Sequence, residues 1–223
     1  VGFLDDLKRQ ADAAKALQNT DTGFLDRQAA LTNAACQTAL GYLSTLAQQL
    51  NVLCPPSRVS YRLDRRQAFD GLRLRDFRAD ARRKTLRGQE AFDHVVLRWR
   101  LASGTPVSFV KNFLPDIEQL ESRLRRSGAR FSSEAVRNPV SAKLQEMRYE
   151  LVADFEASVL ITPDHDAGRL RFEFVNLDGF ETVTVDFAAF EIGSGRMDEL
   201  ARWIVGEPNT FVRGGQQLRR IEA

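Results

Sequence analysis

The side chains able to do chemistry in this chain are few and scattered. His165 sits in Thr162-Pro163-Asp164-His165-Asp166-Ala167-Gly168, where carboxylates flank an imidazole, and both types ligate divalent ions. Adjacent residues of a connection rarely converge on one ion, and Pro, Asp and Gly are ordinary turn formers, so a turn outweighs a metal site. His94 falls on the same expected strand face as Arg98 and Arg100, which suits a solvated or hydrogen-bonded histidine better than a general base. Asp154 and Glu156 alternate along the polar face of a long strand, as solvated charges rather than an acid/base pair. Cys36 and Cys54, the only two cysteines, stand in one helical segment. Their separation of roughly 27 Å, at about 1.5 Å per residue, forbids a disulfide. They read as reduced, packed thiols. No glycine-rich phosphate loop, nucleophile elbow, His-Glu-x-x-His or Cys-x-x-Cys occurs. No catalytic, cofactor-binding or metal-binding residue is therefore assigned, no cofactor is expected, and an enzyme is the minority reading.

Charge is the stronger signal. The 223-residue chain carries a net +2, yet residues 58–87 hold eleven Lys/Arg and four Asp/Glu, a local +7, while 1–57 hold four against five. Arg58, Arg62, Arg73, Arg75, Arg98 and Arg100 are expected on the outer face of one sheet, a surface that attracts phosphates or an acidic protein. Sheet-based binding of single strands also wants aromatics on that face, and Tyr61, Phe77 and Trp99 alternate to the opposite side. An acidic protein partner is thus expected ahead of nucleic acid. Glu150, Asp154 and Glu156 add an acidic face from later strands. The two faces together suggest head-to-tail association between copies.

The elements that must position these residues follow from hydrophobic periodicity. Phe3, Leu4, Leu7, Ala11, Ala14 and Leu17 recur at helical steps and predict a short helix over 3–18. Asn19-Thr20-Asp21-Thr22-Gly23 predicts a break, with capping side chains for a new start. A long helix follows from Phe24 to Leu53, with Phe24, Leu31, Tyr42 and Leu46 in one row and Leu25, Ala29, Cys36, Leu40, Leu43 and Ala47 beside it. Pro55 and Pro56 stop it. Gly-Phe-Leu-Asp opens both segments, at residues 2–5 and 23–26. Phe3, Leu4, Leu7, Phe24, Leu31, Tyr42 and Leu46 are the candidate contacts with a second copy. Near the start Lys8, Arg9 and Lys15 balance Asp5, Asp6 and Asp12, which favours a partner helix over a lipid surface.

Beyond the prolines the period is two. Val59, Tyr61 and Leu63 alternate with Arg58, Ser60 and Arg62 as a half-buried strand. The apolar phase slips from Leu72 and Leu74 to Phe77, Ala79 and Ala81, predicting a bulge near Asp76. Ala102-Ser103-Gly104 reads as a hairpin loop that sets Trp99 opposite Val107 and Leu97 opposite Phe109. A helix over 115–126 presents Ile117, Leu120 and Leu124 and closes at Gly128; another over 196–205 closes at Gly206. Between them a short strand lies near 129–136, and Tyr149 to Ile161 alternates as a long one. Asp178-Gly179 predicts a two-residue turn that pairs Phe174 with Val183, Phe172 with Val185, Leu170 with Phe187, and Arg171 with Asp186. A weaker strand is expected around 211–221.

The fold class is therefore α+β. A helical N-terminal arm over 1–56, a short helix plus a long helix, precedes an antiparallel β-sheet over 57–223 with two covering helices, divisible into hairpin-plus-helix units at 57–128 and 129–223. No apolar run reaches the roughly 18 residues that span a bilayer, and no cleavable signal opens the chain, so a cytoplasmic setting is expected.

The stretches LTNAACQTALGYLSTLAQQLNVL, DFRADARRKTLRGQEAFDHVVLRW, LQEMRYELVADF, NLDGFETVTVDF and ELARWIVGEP resemble an uncharacterised family of conserved proteobacterial proteins over most of the chain. The resemblance implies a bacterial, cytosolic setting and no activity. The expected function is a non-enzymatic oligomeric scaffold or adaptor, a homo-oligomer built through the N-terminal helices and charged sheet faces. Nucleic-acid association through strands 58–87 and 98–100 comes second and an unrecognised enzyme third.

Overall fold

No proline stands between Phe3 and Leu53, and this decides the N-terminal architecture. The computed structural model describes residues 3–64 and 66–222, and their side chains except those of 3–7, 11–20 and 222. Helix α1 (Phe3–Leu53) runs unbroken for 51 residues, so the expected break over Asn19–Gly23 does not form. Asn, Thr and Asp each disfavour an interior turn by only about 0.7 kcal/mol and Gly by about 1 kcal/mol, and once nucleated a helix propagates through such penalties. A steric stop comes only at the far end. Cys54 takes φ +40°, its N–H closing on Leu50 O at 2.8 Å, and Pro55 and Pro56 follow.

Seven strands form one antiparallel sheet in the order β3-β4-β6-β7-β8-β9, with β5 lying end to end with β7 along the same edge of β6. Their ranges are β3 (Arg73–Leu86), β4 (Gln89–Lys111), β5 (Phe131–Arg137), β6 (Leu144–Asp164), β7 (Arg169–Val175), β8 (Glu181–Ala188) and β9 (Gln216–Glu222). A separate two-stranded hairpin, β1 (Tyr61–Arg62) with β2 (Ala68–Phe69), precedes them. Helices α2 (Leu114–Arg126) and α3 (Ser194–Ile204) complete the α+β fold. The two expected hairpin-plus-helix units share this one sheet, because β4 pairs with β6 from Val95–Ile161 to Lys111–Met147.

One face of the sheet's central strands is buried. Phe77, Leu97, Trp99, Phe155, Ala157, Phe172, Phe174, Val185 and Phe187 line it. The covering layer comes from α1, α2, α3 and the 55–72 segment: Phe69 packs on Phe155, Tyr61 on Phe180, and Trp203 on Phe174. Ala35, Cys36, Ala39, Leu43, Ala47 and Leu50 of α1 belong to this same core. The core therefore runs across Pro55–Pro56.

The hairpin register read from both faces holds in full, with Leu170–Phe187, Arg171–Asp186, Phe172–Val185 and Phe174–Val183 opposed. Its turn is wider than two residues: Asn176 takes φ +56°, its N–H reaches Glu181 O at 2.9 Å, and Leu177 and Phe180 tuck into the core. The expected hairpin at Ala102–Gly104 is overturned, since β4 continues straight through. Gly104, at φ +71°, sits in an irregularity between Ala102–Asp154 and Pro106–Val152. A turn there would pair two short halves of β4 with each other, whereas the long alternation in β6 offers a partner to both. The real reversal falls at Arg87-Gly88, both at positive φ, joining β3 to β4.

Burial pushes the Cys36 thiol up to about 12, so it stays protonated and inert. Cys54 is only half-buried. One thiol per chain should therefore react with a disulfide dye in the native state and two in denaturant; fast reaction of both would contradict the packing.

Candidate functional site

Two β-bulges organise the surface where α1 meets the sheet. The phase slip in β3 is a bulge as expected: the register jumps between Arg75–Arg100 and Arg78–Arg98, with Asp76 at φ +58°. A second jump lies between Arg82–His94 and Arg83–Phe92, leaving Asp93 as the extra residue. A bulge frees backbone groups from the ladder, and buried ones need other partners. Asn51 of α1 supplies both at the first, accepting from Phe77 N at 2.7 Å and donating to Phe77 O at 2.9 Å. At the second, Asn33 accepts from Phe92 N at 2.9 Å, and the buried His165 donates from Nε2 to Phe92 O at 2.7 Å. Thr32 Oγ1 lies 2.6 Å from His165 Nδ1, so both ring nitrogens are engaged. The Asp-His-Asp stretch is a turn whose histidine clasps helix to sheet. Among the described residues no three His, Cys, Asp or Glu side chains converge to hold a metal ion.

Among the described residues no helix covers the opposite sheet face, which is strongly charged. Arg73, Arg75, Arg98 and Arg100 share it as expected, together with Arg78 and Arg82, which sequence reasoning left out. Arg75 faces Arg100 and Arg78 faces Arg98 directly across the strands. Like charges so placed repel, and burial of their partners does not explain them. Acidic residues of the next strand answer part of this: Asp154 reaches Arg100 at 2.7 Å and Glu156 reaches Arg98 at 3.7 Å. The expected acidic and basic faces are thus neighbouring strands of one face, partly neutralising each other. Arg58 and Arg62 do not join it. The 55–72 segment folds onto the covered side, where Arg58 pairs with Glu207 at 3.3 Å and Arg62 borders a groove near α2.

The Arg100 guanidinium beside Asp154 holds that carboxyl below its ordinary value of 3.8. A depressed folded pKa stabilises the fold above about pH 4, and the contribution is lost as pH falls through the lowered value. Replacing Arg100→Met removes the main cause. The acid-unfolding midpoint should rise by a few tenths of a pH unit in a circular dichroism titration. An unmoved midpoint would mean the pair contributes nothing.

Of the candidate contacts on α1, Tyr42 and Leu46 serve their own chain. The Tyr42 hydroxyl donates to Asp198 Oδ1 of α3 at 2.6 Å, and Leu46 packs half-buried against the core. Phe24 and Leu31 remain 50% and 47% exposed. No described side chain of α1 before Thr32 is buried. Phe3, Leu4 and Leu7 belong to the helix, but their side chains lie outside the described residues.

Among the described residues, no helix is long and apolar enough to cross a membrane. Asn33, Asn51, Arg78 and Arg82 escaped the sequence reading, and one signal was present for the first pair: they stand five helical turns apart, on one line at the edge of the apolar rows. Comparison of the chain with protein-family models, with curated proteins and with solved structures returns no match.

Proposed function

We propose that this protein is a homo-oligomeric scaffold or adaptor that assembles by pairing the N-terminal stretch of α1 with that of a second copy. The observation that carries the reading is that no described side chain of α1 before Thr32 is buried, with Phe24 and Leu31 exposed along it. Most helical stability in proteins comes from packing an apolar face rather than from propensity, so exposed Phe24 and Leu31 favour a partner for this stretch.

Sequence spacing supports a second copy as that partner. Phe3, Leu17, Phe24 and Leu31 are separated by whole heptads. In an unbroken helix the Gly-Phe-Leu-Asp copies, 21 residues apart, differ by about 60° in phase, and a left-handed supercoil absorbs about 20° per heptad. Residues 1–27 hold four basic and five acidic side chains, so two copies repel each other little.

Light scattering tests this directly. The intact 25.2 kDa chain should form at least a dimer. A chain beginning at Gln28, or an intact chain carrying Phe24→Glu and Leu31→Glu, should be a monomer with an unchanged melting curve. A monomeric intact chain at micromolar concentration would sink the reading.

The opposed arginine pairs favour a second reading, binding of a nucleic-acid backbone. Among the described residues no aromatic side chain stands beside those arginines on the open face, so contact would be to phosphates alone and steeply salt-dependent.

A further inference from the structure

Strand β4 outruns its neighbour β3. Their register ends at Arg73 opposite Ala102, while β4 stays paired with β6 as far as Lys111 opposite Met147. On the side away from β6, residues 103–111 have no strand neighbour among the described residues. The outer strands elsewhere are guarded by charge, β3 by Arg73, Arg75, Arg78 and Arg82 and β9 by Arg219 and Arg220. Between Ser103 and Val110 no charged residue occurs. Charged edges resist the addition of a further strand, and an uncharged one invites it. Pro106 lacks an N–H, which leaves 107–111 as the pairing stretch.

Beside this edge lies a groove of about 730 Å³ between the β1–β2 hairpin, the end of β4 and α2. Leu63, Phe109 and Leu120 give it an apolar lining. Its charges are unbalanced. Lys111 is taken by Asp64 at 2.6 Å, and Arg62 and Arg66, both exposed, stand in the same lining as one further acid, Asp116. Asp178 and Glu181 line an adjoining pocket of about 300 Å³ that Arg62 and Arg123 also border, but both acids are held by Arg220, at 3.6 and 2.8 Å. Arg123 is fixed by donating to Leu63 O at 2.6 Å. Phe113 and Leu114, 60% and 57% exposed, add an apolar rim where β4 meets α2.

We infer that this edge and groove bind an extended acidic segment of a partner protein as an added strand. Its main chain pairs with residues 107–111 and its carboxylates meet Arg62 and Arg66. The edge supplies hydrogen bonds indifferent to sequence, and the arginines supply the choice of an acidic occupant.

The test uses the full chain and a short capped, dye-labelled peptide of alternating glutamate and valine, with the lysine–valine peptide as control. Fluorescence anisotropy should show binding of the acidic peptide only. Arg62→Glu with Arg66→Glu, both exposed, should weaken it by about tenfold or more while leaving the melting curve and the oligomeric mass unchanged. Hydrogen exchange at the amides of 107–111 should slow when the acidic peptide is present. The proposal is overturned if both peptides bind equally, if the charge-reversed variant binds as well as the parent, or if exchange at 107–111 is unaffected. It is also overturned if those amides become protected by raising the protein concentration alone, which would make a second copy the occupant.

Discussion

A chain beginning at Ser57 should not fold. Removal of residues 1–56 takes Ala35, Cys36, Ala39, Leu43, Ala47 and Leu50 out of the core and bares the sheet face they cover. Burying a leucine side chain stabilises a fold by about 1.5–3 kcal/mol, and Leu43 and Leu50 alone approach the lower end of a whole domain's stability of about 5–15 kcal/mol. Both bulges would also lose their asparagines. Such a chain should give no cooperative melt and should bind a hydrophobic dye. The contrast is with the chain beginning at Gln28, which keeps every one of these contacts. A cooperative melt from the Ser57 chain would show that the sheet stands without its helix.

Asn51→Ala should be the costliest single change on the exposed side of α1. The substitution leaves Phe77 N–H and C=O at the β3 bulge without their partners, each worth about 1 kcal/mol or more where water reaches poorly. A loss of about 2–3 kcal/mol corresponds to a melting temperature lower by roughly 4–12 °C for a chain of this size. Asn33→Ala removes one bond at the other bulge and should lower it less. The two sites are far apart, so the double variant should show the sum within about 0.5 kcal/mol. A neutral Asn51→Ala would mean that solvent satisfies the bulge unaided.

What was legible in the residues was whatever repeated. The register of β7 and β8 could be read because the apolar pairs on one face and Arg171–Asp186 on the other demanded the same alignment. The bulge near Asp76 could be read because a slip of phase along one strand is a local event. The continuity of α1 could not: Asn19 to Gly23 carry capping side chains, and only the summed propensities of the flanking turns show that the cost of continuing is small. Ala102–Gly104 misled for a different reason. A turn signal speaks for the residues beside it, whereas the partner that β4 adopts lies 36 or more residues onward in β6. Arg87-Gly88 went unread because arginine is a poor advertisement for positive φ. The surfaces followed the same rule. Arg73, Arg75, Arg98 and Arg100 sit on the expected face by alternation, while the groove at Arg62, Arg66 and Arg123 required the fold to bring three separate segments together.

The pair Asn33 and Asn51 acts on α1 as two bearings act on a shaft. They lie on one line, about 27 Å apart along the axis, and each grips a different strand of the sheet. Advancing the helix by one residue would rotate both side chains by about 100° away from their bulges, so the shaft can neither slide nor roll. The heading of the N-terminal stretch is thereby set by two irregularities in β3 and β4. Were the N-terminal stretches of two molecules to pair as proposed, the angle between the bodies would be inherited from those bulges. An insertion or deletion of a single residue within 34–50 would break that alignment while leaving the sequence of the N-terminal stretch untouched.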